Sequence, residues 1–127
     1  MDEMRKQWIE ALRSGDYKQG REYLCKDGNY CCLGVACDLF AEIKEPQLNG
    51  TVAFDGATTA LPFALVELLG LKSPTGIFAE TITVMKDGHP RKFGELTTLN
   101  DIGRQTFEEI ANVLESGVAW RESEKVD

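Results

Sequence analysis

The chain has 127 residues, of which 43% are hydrophobic and 28% charged. That is enough for one hydrophobic core and excludes the disordered, collagen-like and coiled-coil classes. Its 21 acidic residues outnumber 14 basic ones, and the net charge of -7 repels a nucleic-acid backbone, which argues against DNA binding as a primary role. No apolar run reaches the roughly 20 residues a membrane helix needs, and no secretory apolar stretch follows Met1–Lys6, so a cytoplasmic setting without a membrane is expected.

Residues 2–14 are predicted to form the first helix. Asp2 caps it, Met4, Trp8, Ala11 and Leu12 recur at helical spacing, and Gly15 stops it. A hairpin follows, with Glu22–Cys25 and Tyr30–Cys32 flanking Lys26-Asp27-Gly28-Asn29, because an Asp-Gly step supplies the positive φ of a tight turn. From Leu33 the period changes to about 3.6, and the stripe Leu33, Ala36, Phe40, Ile43 predicts a second helix that ends before Pro46. The turn-rich stretch 44–58 reads as a connector with at most a short strand at Thr51–Phe54. Pro62 sits in the first turn of an apolar, deeply buried helix carrying Leu61, Leu65, Leu68 and Leu69 and closed by Gly70. A second hairpin pairs Phe78–Met85 with Arg91–Leu96 and turns at Lys86–Pro90. Thr106-Phe107-Glu108-Glu109 is a capping box ahead of the stripe Phe107, Ile110, Ala111, Leu114, which ends at Gly117.

These elements imply the α+β class: a single small domain over residues 1–117, with two β-hairpins forming an antiparallel sheet covered by about four helices. The charged residues 118–127 are expected to be a flexible tail. Within it Trp120 is large enough to cover the core or to seal a homodimer. Lys-Asp-Gly occurs at 26–28 and again at 86–88, which reads as shared turn chemistry, with an internal duplication as the alternative.

Cys25, Cys31, Cys32 and Cys37 lie close together. A reducing compartment argues against disulfides, and the spacing C-x5-C-C-x4-C is not that of a zinc site, so buried reduced thiols are expected. A nucleophilic alternative places Cys31 or Cys32 where a strand meets a helix, with His89, the only histidine, as the base.

The basic residues gather in two islands, Lys18-Gln19-Gly20-Arg21 and Lys86 with His89, Arg91 and Lys92. Lys18 and Arg21 flank a glycine in a loop, where backbone N–H groups approach an anion and a guanidinium grips phosphate with two donors. Tyr17 offers a stacking face for a base. Asn100 could bond a base or ribose with Asp101 orienting it, the alternative being an Asx turn that sets the entry of the last helix. The candidate ligand set is thus Tyr17, Lys18, Gln19, Arg21, Arg91, Asn100 and Asp101, with no catalytic residue, metal or cofactor expected. No Walker or G-x-G-x-x-G pattern points to ATP hydrolysis or dinucleotide chemistry.

The segments Tyr17-Lys18-Gln19-Gly20-Arg21, Tyr30-Cys31-Cys32-Leu33-Gly34-Val35-Ala36-Cys37-Asp38-Leu39, and Leu99-Asn100-Asp101 with Thr106-Phe107-Glu108-Glu109-Ile110-Ala111 resemble those of small bacteriophage-encoded proteins. The resemblance covers most of residues 7–43 and 96–115. It implies a phage accessory gene expressed in the host bacterial cytoplasm, where small proteins counter host defence by trapping a nucleotide signal or binding a host protein. The leading expectation is sequestration of a nucleotide-like or other small anionic ligand without chemistry. An inhibitor docking on a host defence protein through an acidic or apolar surface is the alternative, and a cysteine-dependent hydrolase is third.

Overall fold

Asp2 caps helix α1 (Glu3–Arg13), its carboxylate accepting the backbone N–H groups of Met4 and Arg5, which satisfies donors left open at a helix start. This computed structural model describes residues 2–124; the end of the expected tail, 125–127, lies outside the described residues. Along α1, Trp8, Ile9 and Leu12 are buried. The Trp8 indole N–H donates to the Cys32 carbonyl at 2.9 Å, so a large apolar ring enters the core with its one polar atom satisfied.

Both predicted Asp-Gly turns form. Strands β1 (Lys18–Gln19), β2 (Cys25–Lys26) and β3 (Asn29–Tyr30) make one small sheet, in which β2 and β3 close around Asp27 at φ 51° and Gly28 at φ 81°. Helix α2 (Cys32–Phe40) follows, then β4 (Lys44–Pro46), β5 (Val52–Phe54) and α3 (Phe63–Leu69). The long hairpin β6 (Ile77–Lys86) and β7 (His89–Glu95) closes around Asp87 at φ 52° and Gly88 at φ 79°. Two adjacent positive φ values are what a two-residue hairpin loop requires. Helices α4 (Leu96–Asp101) and α5 (Phe107–Glu115) and a short 3-10 turn, Arg121–Glu124, complete the fold. Thr106 and Glu109 form the expected capping box.

The protein is a small α+β domain, and it departs from the sequence-based expectation in five places. The strands form three separate small sheets instead of one. Phe78 and Phe93 of the long hairpin are buried in the common core, while β5 lies beside β2, with Thr51 bridged to Lys26. Within the first sheet, β1 runs parallel to β3, a pairing with no local signal. The connector 44–58 is itself a hairpin, β4 against β5, and a third Asp-Gly step, Asp55-Gly56, turns the chain after it. Residues 96–101, expected as a strand end and a turn, form α4. The domain also continues past Gly117: Ala119 and Trp120 are buried, Trp120 stands edge-on to Trp8 at 6.2 Å, and the Arg121 N–H donates to the Gly70 carbonyl at 2.7 Å. Arg5 locks this end in place, its guanidinium 4.3 Å over the Trp120 ring and bonded to the Leu69 carbonyl at 2.7 Å. Trp120 therefore covers the core of its own chain.

The core gathers the buried faces of α1, α2, α4 and α5. Its tightest point is Gly34, where a Cβ would overlap the Leu24 carbonyl oxygen. The backbone of α2 thus rests directly on the loop before β2, and no rotamer change can relieve an added methyl group. Gly34→Ala is expected to destabilise the protein by about 3 kcal/mol or more, the upper end of overpacking costs; an unchanged urea midpoint would contradict this contact.

Candidate functional site

One buried amide organises the region that carries the basic loop. Asn100, on α4, is fully buried. Its Oδ1 accepts the Gln19 side-chain amide at 2.9 Å and the Cys32 backbone N–H at 3.3 Å, while its Nδ2 donates to the Gly20 carbonyl at 2.9 Å and to Asp101 Oδ1 at 2.8 Å. Two acceptor sites and two donors are all that an Asn side chain has. Cys31, the residue ahead of α2, makes no side-chain cap, so Asn100 supplies from a distant helix the acceptor that this helix start lacks. Gln19 uses its other amide hydrogen on the Gln105 carbonyl at 2.8 Å. Asn100, expected as a ligand contact, is instead an internal brace with every donor and acceptor engaged, and Gln19, through both its amide hydrogens, and Asp101, through one carboxylate oxygen, take part in it.

What the brace holds is the turn after β1. Gly20 donates its N–H to the Tyr30 carbonyl at 2.7 Å, and a Cβ there would stand 2.8 Å from the Asn29 Cβ, so only glycine permits this approach. The Tyr23 N–H donates to the Arg21 carbonyl at 2.8 Å across Glu22, whose φ is 72°. This is a γ-turn with a non-glycine residue at positive φ, a strained geometry that costs on the order of 1–3 kcal/mol and persists only when its surroundings enforce it. The turn projects Arg21 to the surface.

The register of the first sheet adds two more cations. Lys18 pairs with Asn29 and Asn29 with Lys26, while Gln19, Tyr30 and Cys25 make the adjacent row. Residues in one row share a face. The row Gln19, Tyr30, Cys25 turns inward, and the other leaves Lys18 and Lys26 exposed on either side of Asn29. Strand spacing places the two lysine backbones about 10 Å apart. Gly20, Arg21, Lys26, Asp27 and Asn29 line a cleft of about 160 Å³. No ion pair involves Lys18, Arg21 or Lys26 among the described residues, so neither Asp16 nor Glu22 neutralises Lys18 or Arg21. Lys26 does rest 5.0 Å over the Tyr23 ring. Lys26 and Asn29 were outside the predicted set. The Asp-Gly turn makes their mutual pairing legible, but their alignment with Lys18 depends on the parallel β1–β3 pair.

Two other expected contacts lie elsewhere. The Tyr17 hydroxyl donates to Asp38 Oδ2 at 2.6 Å, and its ring meets Tyr30 edge-on at 5.0 Å, so Tyr17 is a packing residue and not an open stacking face. Burial pushes its hydroxyl pKa up, and the Asp38 carboxylate adds to that. Burial also pushes Asp38 upward, but the Tyr17 hydroxyl and the Lys44 ammonium outweigh it and hold this carboxyl below its usual range. Arg91 sits on the long hairpin opposite Val84 and is not among the residues lining the cleft.

The four thiols are free and buried. Burial pushes the Cys31 thiol up to about 11, against the pull of the backbone N–H groups of Gly34 and Leu33. Cys32, Cys37 and Cys25 are raised chiefly by the same cause. Such thiols stay protonated at neutral pH and are not poised nucleophiles. His89 stands exposed at the start of β7, paired with Lys86, while the thiols are buried, so the Cys–His pairing that a hydrolase would need is not assembled. Among the described residues, no group of three or more His, Cys, Asp or Glu side chains could hold a metal ion, and no helix is long and apolar enough to cross a membrane.

A protein-family model described as Domain of unknown function (DUF8296) matches residues 1–118. No curated protein and no solved structure matches the chain.

The thiols give a pH dependence of definite sign. A group whose pKa is higher in the folded than in the unfolded state stabilises the fold fully below the unfolded value, and that contribution fades as pH rises through the folded one. Stability is expected to hold below pH ~8.5, the unfolded thiol value, and to decline steadily as pH rises toward 11. Urea midpoints measured along that range check it, and a flat profile would contradict it. A thiol reagent at pH 8 should label none of the four cysteines until the chain unfolds.

Proposed function

We propose that this chain, which belongs to the DUF8296 family, binds a small phosphate-bearing anion on the surface formed by Lys18, Arg21, Lys26 and Asn29. The observation that carries this reading is Arg21, displayed on a strained turn without an ion-pair partner among the described residues. That turn is held by Gly20 and, through it, by Asn100. A guanidinium offers phosphate a planar fork of donors, and two ammonium groups add local positive potential that the overall charge of -7 does not erase. Asn29, between the lysines, provides a neutral polar contact.

The cleft sets the size of what is gripped. Pockets that swallow a drug-sized ligand run to roughly 300–1,000 Å³, whereas this one has about 160 Å³. It suits one phosphate group, with the remainder of the ligand lying across the sheet face. In the setting implied by the resemblance to phage proteins, a host bacterial cytoplasm, the ligand class of interest is a nucleotide-like signal. Sequestering it without chemistry would constitute an anti-defence role. Buried thiols support a binding role over cysteine chemistry.

Thermal unfolding with pyrophosphate and with a panel of linear, cyclic and ADP-ribose-type nucleotides tests the proposal. A ligand at a hundredfold excess over its dissociation constant is expected to stabilise the fold by about 2.7 kcal/mol. Arg21→Ala and Lys26→Ala should each weaken binding about tenfold or more, since a hydrogen bond to a charged group contributes roughly 1.5–3 kcal/mol. Tyr17→Phe should leave affinity intact. A flat response to every compound, or binding that survives both cation deletions, would overturn the proposal.

A further inference from the structure

Helix α3 carries more apolar surface than its own chain covers. Its sequence, Phe63-Ala64-Leu65-Val66-Glu67-Leu68-Leu69, has one polar residue, and a helix apolar on all sides is ordinarily enclosed on all sides. Such a composition predicts a helix deep in the core. Leu65, Val66 and Leu69 are indeed buried, but Phe63 is 74% and Leu68 42% exposed. The two exposed side chains border a groove of about 560 Å³, which Phe40, Pro62, Glu42 and Asp55 also line. This groove is larger than the cleft beside Arg21, and its lining shares no residue with it.

Its charge is one-sided. Glu42 and Asp55 are the charged residues of the lining, and no lysine or arginine contributes. Asp55 is fixed in place, its carboxylate accepting the backbone N–H groups of Ile43 at 2.8 Å and Glu42 at 3.3 Å. A second copy docked through the same face would bring these carboxylates against their own counterparts, on chains that each carry a net charge of -7, an arrangement that like-charge repulsion penalises. An occupant of opposite charge is favoured on contact and steered toward the face from a distance.

We infer that this groove docks a cationic amphipathic segment of a partner protein. Apolar side chains of that segment cover Phe63 and Leu68, and its lysine or arginine side chains stand over Glu42 and Asp55. This is the helix-in-groove mode, in which a few apolar anchors at helical spacing supply most of the affinity. The inference is independent of the anion site and would survive its failure.

The test uses fluorescence anisotropy of the full chain with a labelled helical probe. The probe carries leucines at positions i, i+3, i+4 and i+7 on a lysine background, and its counterpart has glutamate in place of every lysine. The lysine probe should bind saturably and more weakly as salt rises. Phe63→Ala and Leu68→Ala should each reduce affinity about tenfold or more, Glu42→Lys should also reduce it, and Arg21→Ala should leave it unchanged. Because Phe63 and Leu68 are exposed, these variants should keep the parent's unfolding midpoint, which separates lost docking from lost folding. No saturable binding, equal binding of the glutamate probe, or indifference to Phe63→Ala would overturn the inference. A sedimentation dimer that Phe63→Ala dissociates would also overturn it by making a second copy the occupant.

Discussion

The four hydrogen bonds of the Asn100 side chain join segments that are distant in the sequence. They reach Gln19 and Gly20 in the basic loop, the first backbone N–H of α2 at Cys32, and Asp101 beside Asn100 on α4. A buried amide is costly unless every donor and acceptor is paired, and strongly directional once they are. Here pairing is complete, so the amide that would penalise a wrong arrangement specifies the right one. The apolar core around it drives collapse but is indifferent to direction. Asn100 fixes which backbone groups meet.

Three features of the site follow from that constraint. Gly20 is held at both its N–H and its carbonyl, which allows Glu22 to remain at positive φ and Arg21 to project outward. Helix α2 starts without a side-chain cap of its own, and Asn100 accepts its first N–H at Cys32, beside thiols of Cys31 and Cys32 whose pKa values burial raises. Gln19 is drawn inward, and the alternation of a strand then turns its neighbour Lys18 outward beside Asn29 and Lys26. The groove at α3 owes nothing to this brace. It comes from an excess of apolar residues on a seven-residue helix that the core uses on one side only.

Where local chemistry decided the outcome, the sequence was readable. Asp2, the capping box at Thr106, Gly70 as the left-handed end of α3, and the Asp-Gly turns at 27–28 and 87–88 all sit where their backbone preferences place them. Where long-range contacts decided, it was not. Strand β1 has two residues and pairs with β3 in parallel, and no run that short carries a periodic signal. Asn100 lies in Leu-Asn-Asp, a pattern that favours a turn, yet bonds to residues 80 or more positions away outweigh the local preference. Trp120 looked like part of a tail because its neighbours are charged, although its ring fills the gap between Trp8 and Arg5. In the candidate site the cations Lys18 and Arg21 were legible from their spacing around Gly20. The partners that position them and the contribution of Lys26 required the register.

The central claim is that one amide determines how these segments meet, and Asn100→Asp tests it most directly. The substitution keeps size, shape and the Oδ1 acceptor, removes both donors, and sets a second carboxylate against Asp101 and the Gly20 carbonyl. Equilibrium urea unfolding at neutral pH should show a loss of about 3 kcal/mol or more, the cost of buried groups left unpaired beside an uncompensated charge. Stability within about 0.5 kcal/mol of the parent, the range of an ordinary surface substitution, would contradict the account.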